Sequence, residues 1–223
     1  LAFAQYHTYI HYLDHFRDEL ECDEVALVLA GISKIAGFDK PLLLAEYGYL
    51  GEGETSSLNP QDPSGIALHN GLWAGMLGGA AGTPMLWWWD NYVEPGDLYY
   101  HYKALAAFAK DVDWNEPRVP MRVEDETLRI LALRSPKELL LWAQNRESTW
   151  HRRIKDKREP REFKDVALCL TGFPKGAYRV EWFDTYRGTG ITAYDLEAPD
   201  GALRLRPPTF RFDIAARVRW VRE

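Results

Sequence analysis

The sequence predicts an α/β portion built on a parallel sheet, followed by an all-β portion built from antiparallel strands. Over residues 1–112, strand-like and helix-like segments alternate, which is the pattern of a parallel sheet with crossover helices. Residues 41–45 form a continuous apolar run, as expected for a strand that is buried on both faces. From residue 118 onward, short strand-like segments are separated by turns that contain Pro and Gly.

The first βα unit opens the chain. Residues 1–6 predict a short buried strand, and His7 and Tyr9 follow at its end. Residues 23–36 predict a helix, because Asp23 suits the N-cap and the apolar residues after it keep helical spacing. These apolar residues are Val25, Val28, Leu29, Ile32 and Ile35.

The second unit is centred on Glu46, which directly follows the apolar run. An ionised carboxylate at the edge of an apolar environment is costly unless partners hold it, and strand ends in α/β barrels carry the chemistry. Glu46 is therefore a candidate catalytic residue; the alternative is a strand-end carboxylate that pairs with an Arg or caps a loop. A helix is predicted at 65–80, with Asp62 as N-cap and Pro63 at the first helical position. It is apolar on almost every side, so it should be deeply packed.

The third unit contains a predicted strand at 83–89 and a last helix that begins near Leu98. Three βα units cannot close a barrel of eight strands, so either the sheet is open or the remaining units lie upstream of Leu1. An exposed parallel edge favours association with other strands. We therefore expect a homo-oligomer or a partner chain.

We predict two domains, at 1–114 and 115–223. The second has seven short strands with turn signals between them, which is typical of an Ig-like β-sandwich. The predicted strands are 127–134, 138–145, 166–171, 177–183, 191–196, 202–206 and 209–221. The segment 147–162 between two of them carries six basic side chains with interleaved acids, so we expect a solvated, mobile hairpin loop there.

Composition argues against several classes of protein. A net charge of −6 is untypical of a general nucleic-acid binder, and no apolar run reaches membrane length. Two cysteines far apart in sequence do not predict a disulfide framework. Nine Trp and twelve Tyr make aromatic residues the outlier of the composition. Such rings serve sugar-binding sites, but they also serve large cores and protein interfaces, so the composition alone does not decide between these roles. The chain starts without Met or a signal-peptide pattern, so we expect a fragment or a processed product and leave the compartment open.

Polar and aromatic side chains follow all three predicted strands. In chain order these are His7 with Tyr9, Glu46 with Tyr47, and residues 87–90. The carboxyl ends of parallel strands meet at one rim of a sheet, where ligands bind. A carboxylate nucleophile, a Tyr hydroxyl that orients it and a Trp face beneath the sugar ring are what cleavage of a glycosidic bond with retention requires.

Other interpretations of these side chains stay open. Trp87, Trp88 and Trp89 can belong to the core, and by alternation at least one of them must face the helices. Asp90 can bind sugar hydroxyls or cap its own loop.

Three histidines, His7, His11 and His15, recur every four residues, a spacing that can bind a metal ion on a helix. Because no Glu motif of the metal-binding type accompanies them, we expect no metal site.

In order and in residue type, these segments resemble the last three βα units of a clan A glycoside hydrolase, a cellulase-like TIM barrel. The motif LLLAEYG at 42–48 resembles the seventh strand of that clan, and GTPMLWWWD at 82–90 resembles the eighth. The motif HNGLWA at 69–74 resembles a branch of bacterial cellulase-like glycosidases in which a small β-sandwich follows the barrel. Residues 176–185 and 213–216 resemble that C-terminal domain.

The resemblance implies a role for each candidate residue. Glu46 is the expected nucleophile, and His7 and Tyr9 are expected to contact it and the substrate. The other candidates are substrate-binding side chains at the strand ends: Trp87, Trp89, Asp90 and Tyr47. Register favours Trp87 over Trp89 as the floor under the cleaved sugar. No cofactor is implied, and a secreted or periplasmic location is expected, with a cytoplasmic one also open.

One departure from the clan's pattern matters. Its general acid/base is a Glu after an Asn at the end of the fourth strand, upstream of anything in this chain. Asn115 and Glu116 have these identities but precede Pro117 in the domain junction, so they are not assigned. We therefore expect the C-terminal half of a retaining glycoside hydrolase, which acts on carbohydrate together with an N-terminal half. The alternative is a non-catalytic carbohydrate-binding or structural fragment that needs a partner chain.

Overall fold

The computed structural model describes residues 2–11, 20, 22–51, 53 and 55–222, and it is a mixed structure of helices and sheets. The elements follow one another as β1 (Ala4–Ile10), α1 (Glu24–Ile35), β2 (Leu42–Tyr49), α2 (Ile66–Leu77), α3 (Tyr100–Ala109), β3 (Val119–Glu124), β4 (Leu128–Arg134), β5 (Glu138–Asn145), β6 (Leu168–Leu170), β7 (Gly176–Asp184), β8 (Thr189–Ala198), β9 (Leu203–Leu205) and β10 (Asp213–Arg222). Within the described ranges, no helix is long and apolar enough to cross a membrane.

The chain divides into two compact units. The first combines Leu1–Lys103 with Glu147–Glu159, and the second combines Ala104–Arg146 with Pro160–Glu223. These bounds differ from the predicted division at residue 114, because the unit boundary falls inside α3 and because one segment of the all-β portion joins the first unit.

In the first unit, β1 and β2 form a parallel pair with a register shift. The strand β1 extends to Ile10, so the predicted strand at 1–6 is too short and His7 and Tyr9 lie inside β1. Tyr6 lies opposite Leu44 whereas His7 lies opposite Glu46, which leaves Ala45 as an extra residue in β2. Such a bulge reverses the alternation of side chains along the strand that carries it.

The third predicted strand is wrong in extent. Residues 83–89 were expected to form a strand, but the structure contains one isolated parallel bridge, between Tyr47 and Leu86. A π-helix, Trp89–Val93, begins directly afterwards. The chain turns there because the Trp88 carbonyl accepts hydrogen bonds from amides within that turn instead of from a neighbouring strand.

The helices of the first unit follow local capping chemistry. Asp23 caps α1 as predicted, since its Oδ1 accepts the Ala26 amide at 3.0 Å. The start of α2 differs from the prediction: Gly65 is the N-cap residue, with φ of 67°. Asp62 nevertheless accepts hydrogen bonds from the first two amides of α2. All residues of α2 are buried, as its continuous apolar composition predicts.

In the second unit, a large antiparallel sheet has the strand order β3-β4-β5-β10-β7-β8, and β6 and β9 form a separate two-stranded antiparallel sheet. The buried core is formed by side chains from both sheets, including Leu141, Trp182, Leu203 and Leu205. The seven predicted strands correspond to β4 through β10. The strands of this unit divide six and two between the sheets, whereas an Ig-like β-sandwich of seven strands divides them four and three.

Sequence reasoning missed the edge strand β3. Its side chains are almost all exposed, so it has no apolar alternation, and Pro120 lies within it. Proline is tolerated in an edge strand because one side of that strand needs no ladder hydrogen bonds.

The charged segment is only partly the solvated loop that its composition predicts, because residues 155–159 are exposed whereas its beginning is buried. Ser148, Thr149 and Trp150 are buried, and a π-helix, His151–Lys155, follows them. The Trp150 amide donates to both carboxylate oxygens of Glu24, at 3.0 and 3.2 Å. One buried Trp and one buried carboxyl group therefore attach this part of the segment to α1.

Candidate active site

The candidate site lies on the face of the β1–β2 pair that points away from α1 and α2. Leu44 faces α1, since a Cβ placed on Gly31 of α1 would lie 3.1 Å from its side chain. Without the bulge at Ala45, Glu46 would share that face, because it lies two residues after Leu44. The bulge turns Glu46 to the opposite face, where His7 and Tyr9 of β1 also point.

Two side chains of β1 hold one oxygen of the Glu46 carboxylate. The Tyr9 hydroxyl donates to Oε2 at 2.5 Å, and Nδ1 of His7 lies 3.2 Å from the same oxygen. In the described part of the chain, no hydrogen bond reaches Oε1. The Glu46 side chain is 24% exposed, so this second oxygen remains accessible to a ligand.

The Tyr9 hydroxyl is a persistent hydrogen-bond donor. Partial burial, and then the hydrogen bond to the Glu46 carboxylate and its charge, raise the pKa of Tyr9 well above its usual value. A tyrosine with a raised pKa keeps its proton through the neutral range and beyond. Its hydroxyl therefore stays in place as a donor to Oε2.

The substrate-binding role predicted for Tyr47 is wrong. Tyr47 is buried, and its hydroxyl donates to the Ala67 carbonyl of α2 at 2.9 Å. Its ring lies so close to Gly71 that a Cβ there would be 2.4 Å from Cε1. As the residue after Glu46 in a strand, Tyr47 points to the helix side and contributes to packing.

The three consecutive tryptophans divide between core and surface. Trp88 is buried, and its indole N–H donates to the Tyr49 carbonyl at 2.7 Å. Trp87 is 44% exposed, and Trp89 and Asp90 are exposed as well. The burial of Trp88 agrees with the expectation that one of the three belongs to the core.

Strand pairing relates Trp87 to Glu46. Leu86 lies opposite Tyr47 in a parallel bridge, so both point to the buried helix side. The neighbours of Leu86, which are Met85 and Trp87, are both exposed, whereas Leu86 is buried. The structure thus brings a carboxylate and two polar side chains together, and an exposed indole follows the residue that bridges to β2.

No protein-family model and no curated protein matches the sequence. Among solved structures, the chain is similar to a glycoside hydrolase family 5 protein from Bacteroides vulgatus ATCC 8482, with a TM-score of 0.60 and 16% identity over 98% of this chain. A second structure, a glycoside hydrolase, gives a TM-score of 0.52 at 14% identity, again over 98% of this chain. The fold is glycoside hydrolase-like. The chain spans 50% and 52% of the length of these two proteins, which is consistent with a C-terminal portion of such a fold.

The sequence patterns did not single out two notable residues of this glycoside hydrolase-like fold, Met85 and Glu24. Met85 is exposed two residues before Trp87, and this spacing was the available signal. Glu24 is a fully buried carboxyl group whose pKa is raised to about 8 by burial and by the charge of Asp23. Because first-turn acids are usually solvated, its position in the sequence gave no sign of burial.

The histidine spacing has a different meaning in the structure. His7 lies in a strand, so helical spacing does not relate it to His11, and His15 lies outside the described residues. Across the described ranges, no group of three or more His, Cys, Asp or Glu side chains is arranged to hold a metal ion.

Proposed function

We propose that this chain is the nucleophile-bearing C-terminal portion of a retaining glycoside hydrolase. In this proposal, β1, β2 and the segment around Leu86 are the last three strands of an eight-stranded barrel, and the antiparallel portion is the domain that follows it. The observation that carries the proposal is the Glu46 carboxylate, with Oε2 held by Tyr9 and His7 and Oε1 accessible. The glycoside hydrolase-like fold supports it.

The chemistry that we propose is a double displacement. Oε1 of Glu46 attacks the anomeric carbon, a glycosyl ester forms, and the bond to the leaving oxygen breaks. A carboxylic acid supplied by the rest of the barrel gives its proton to that oxygen. The same group then removes a proton from water, which attacks the anomeric carbon and releases Glu46 as a carboxylate. Retention needs the two carboxyl groups about 5–5.5 Å apart.

Tyr9 and His7 fix the nucleophile during this exchange. A carboxylate with one oxygen bound by a charge-assisted hydrogen bond cannot rotate freely, so its other oxygen keeps one direction. Oε2 becomes the neutral carbonyl oxygen of the ester, and the Tyr9 donor stabilises the charge that returns to this oxygen when Glu46 is released as a carboxylate. His7 is placed to donate to the same oxygen and to meet a sugar hydroxyl.

Trp87 is the proposed floor beneath the cleaved sugar. An exposed indole offers a flat apolar face to the C–H groups of a sugar ring. Trp87 is exposed and directly follows Leu86, the residue that bridges to β2, which supports this role. Trp89 and Asp90 are exposed nearby in sequence and are proposed as further sugar contacts.

The proposal is tested by trapping the glycosyl ester. A 2-deoxy-2-fluoro glycoside with a dinitrophenyl leaving group needs no acid catalyst, so the intermediate can accumulate without the missing carboxylic acid. A panel of such sugars is incubated with this chain and with a longer polypeptide that includes the upstream strands. We expect intact-mass spectra to gain one fluoroglycosyl group, which peptide mapping assigns to Glu46.

The control variants separate chemistry from binding. Glu46→Gln should remove the label, whereas Glu94→Gln, which changes an exposed carboxylate after the π-helix, should not. Label on another residue would contradict the proposal. Binding of a saccharide with no label in either polypeptide would favour the non-catalytic alternative.

A further inference from the structure

The charged segment forms an open cleft with the start of α2, within the first unit. The cleft has a volume of about 390 Å³, which is within the range of about 300–1,000 Å³ that is typical of ligand sites. Three basic side chains line it: Arg153, Lys157 and Arg158. Gln61 and Ser64, from the loop between β2 and α2, line it as well.

The segment that carries these cations is attached at its beginning by buried contacts. Besides the bonds between Trp150 and Glu24, the Ser148 carbonyl accepts a hydrogen bond of 2.8 Å from Nδ2 of Asn70. The Trp150 ring packs edge-on against Tyr49, with ring centroids 5.5 Å apart. The cleft therefore has a wall fixed by buried contacts, so a ligand would not have to order that part of the segment.

The cleft has more basic than acidic side chains, because its three cations face two carboxylates. Of its two carboxylates, Asp62 already accepts hydrogen bonds from two backbone amides and from the Tyr49 hydroxyl. Glu159 is the other carboxylate. The nearest ion-pair contact of Arg158 is 3.8 Å long, to Asp156, and among the described residues no carboxylate lies within ion-pair distance of Lys157. Adjacent cations repel each other, and an oxyanion between them would offset that repulsion.

An aromatic side chain adjoins the same cleft. The Tyr100 hydroxyl donates to the Ser64 carbonyl at 3.2 Å, and its ring is partly exposed. Basic side chains in the cleft and an aromatic ring hydrogen-bonded to its Ser64 wall suit a ligand that combines a negative charge with an apolar face. A sugar that carries a carboxylate or a sulfate has both properties.

We propose that this cleft binds the carboxylate or sulfate group of an acidic saccharide, with Lys157 and Arg158 as its charge partners. The saccharide part of this assignment rests on the proposed glycosidase function, whereas the anion part rests on the cleft alone. The loop from β2 to α2 connects Glu46 to the cleft in sequence. The cleft would accordingly select acidic polysaccharides as ligands.

Titration calorimetry with three probes tests this assignment. The probes are a uronic acid oligosaccharide, a neutral oligosaccharide of equal length, and inorganic phosphate. We expect the acidic oligosaccharide to bind most tightly, and we expect Lys157→Gln and Arg158→Gln each to weaken it by about tenfold. Arg152→Gln is the matched control, because Arg152 is exposed in the same segment but does not line the cleft.

Each other outcome overturns the proposal. Equal binding of the neutral oligosaccharide, or tighter binding of phosphate, would exclude acidic-saccharide recognition. Equal losses for Arg152→Gln and Lys157→Gln would indicate diffuse attraction, and no binding of any anion would exclude the site. Glu46→Gln keeps this test separate from the proposed chemistry, because it should abolish ester formation and leave cleft binding unchanged. Thermal unfolding verifies that the exposed variants fold.

Discussion

The Tyr9 hydroxyl and Oε2 of Glu46 lie 2.5 Å apart across two parallel strands. This contact depends on the extra residue in β2, because an unbulged β2 would point Glu46 toward α1. The extra residue thus determines whether the Glu46 carboxylate points into the apolar layer between β2 and α1 or to the opposite face, where Tyr9 donates to it. The same bulge turns Tyr47 to the helix side, where it is buried.

Tyr9→Phe should slow formation of the glycosyl ester at Glu46. The variant keeps the ring and removes only the donor to Oε2, so the carboxylate loses its orientation and a charge-assisted hydrogen bond worth about 1.5–3 kcal/mol. If that bond acts mainly in the transition state, the trapping rate should fall by roughly 10- to 150-fold. The rate of mass gain with the activated fluoroglycoside measures it.

Tyr6→Phe is the matched control for this variant. Tyr6 lies on the helix side of β1, and its hydroxyl accepts a hydrogen bond from Lys34 at 2.9 Å. Its removal should leave the trapping rate unchanged. Equal rates for Tyr9→Phe and wild type would show that Tyr9 does not orient the nucleophile.

Truncation of Trp88 should lower stability, whereas truncation of Trp87 should weaken saccharide binding. Trp88→Ala removes a buried indole that donates to the Tyr49 carbonyl, so it should lower the free energy of unfolding by about 3–5 kcal/mol. Trp87→Ala removes an exposed ring and should change stability by less than about 1 kcal/mol while weakening saccharide binding. Urea unfolding and saccharide titration of both variants distinguish the two roles, and a large stability loss in Trp87→Ala would contradict the surface assignment.

Much of the fold could be predicted from local sequence patterns. The cap at Asp23, the seven strands of the all-β portion and the burial of α2 all follow from capping residues and apolar periodicity. The family resemblance predicts that Tyr9 contacts Glu46. The contact itself depends on a bulge at Ala45, and no residue type in β2 indicates a bulge there. Alternation alone would have placed Glu46 with Leu44.

The failures have two physical causes, and the first is that long-range contacts override local composition. Segment 147–159 has the composition of a solvated loop, yet Trp150 and Glu24, which are 126 residues apart in sequence, attach its beginning to α1. The sequence could not reveal that a first-turn acid is buried and available for this bond. The exposed strand β3 was missed for the opposite reason, since it lacks any apolar pattern.

Gly71→Ala should destabilise the first unit. A Cβ at this position of α2 would lie 2.4 Å from Cε1 of Tyr47, and the ring cannot withdraw easily because its hydroxyl is bonded to Ala67. Overpacking of this kind costs about 1–3 kcal/mol. Gly37→Ala is the control, since a Cβ there meets nothing within 4 Å. Equal free energies of unfolding for both variants would contradict the tight contact between α2 and β2.

Glu24 should make the protein less stable as the pH rises. Burial, with a smaller contribution from the charge of Asp23, raises its pKa from 4.5 to about 8 in the folded state. Between these two values the folded chain binds more protons than the unfolded chain, so the free energy of unfolding falls with rising pH. The contribution is complete below pH 4.5 and is lost as the pH passes 8. Its upper bound is about 5 kcal/mol.

Glu24→Gln isolates this effect, because the amide is neutral at every pH and its oxygen can accept the same bonds from Asn70 and Trp150. We expect the melting temperature of the wild type to fall between pH 5 and pH 8 relative to that of the variant, while Glu94→Gln retains the wild-type slope. Parallel curves for wild type and Glu24→Gln would show that Glu24 is already ionised in the folded state. Asn70 and the Trp150 amide would then be donating to a carboxylate at every pH of the experiment.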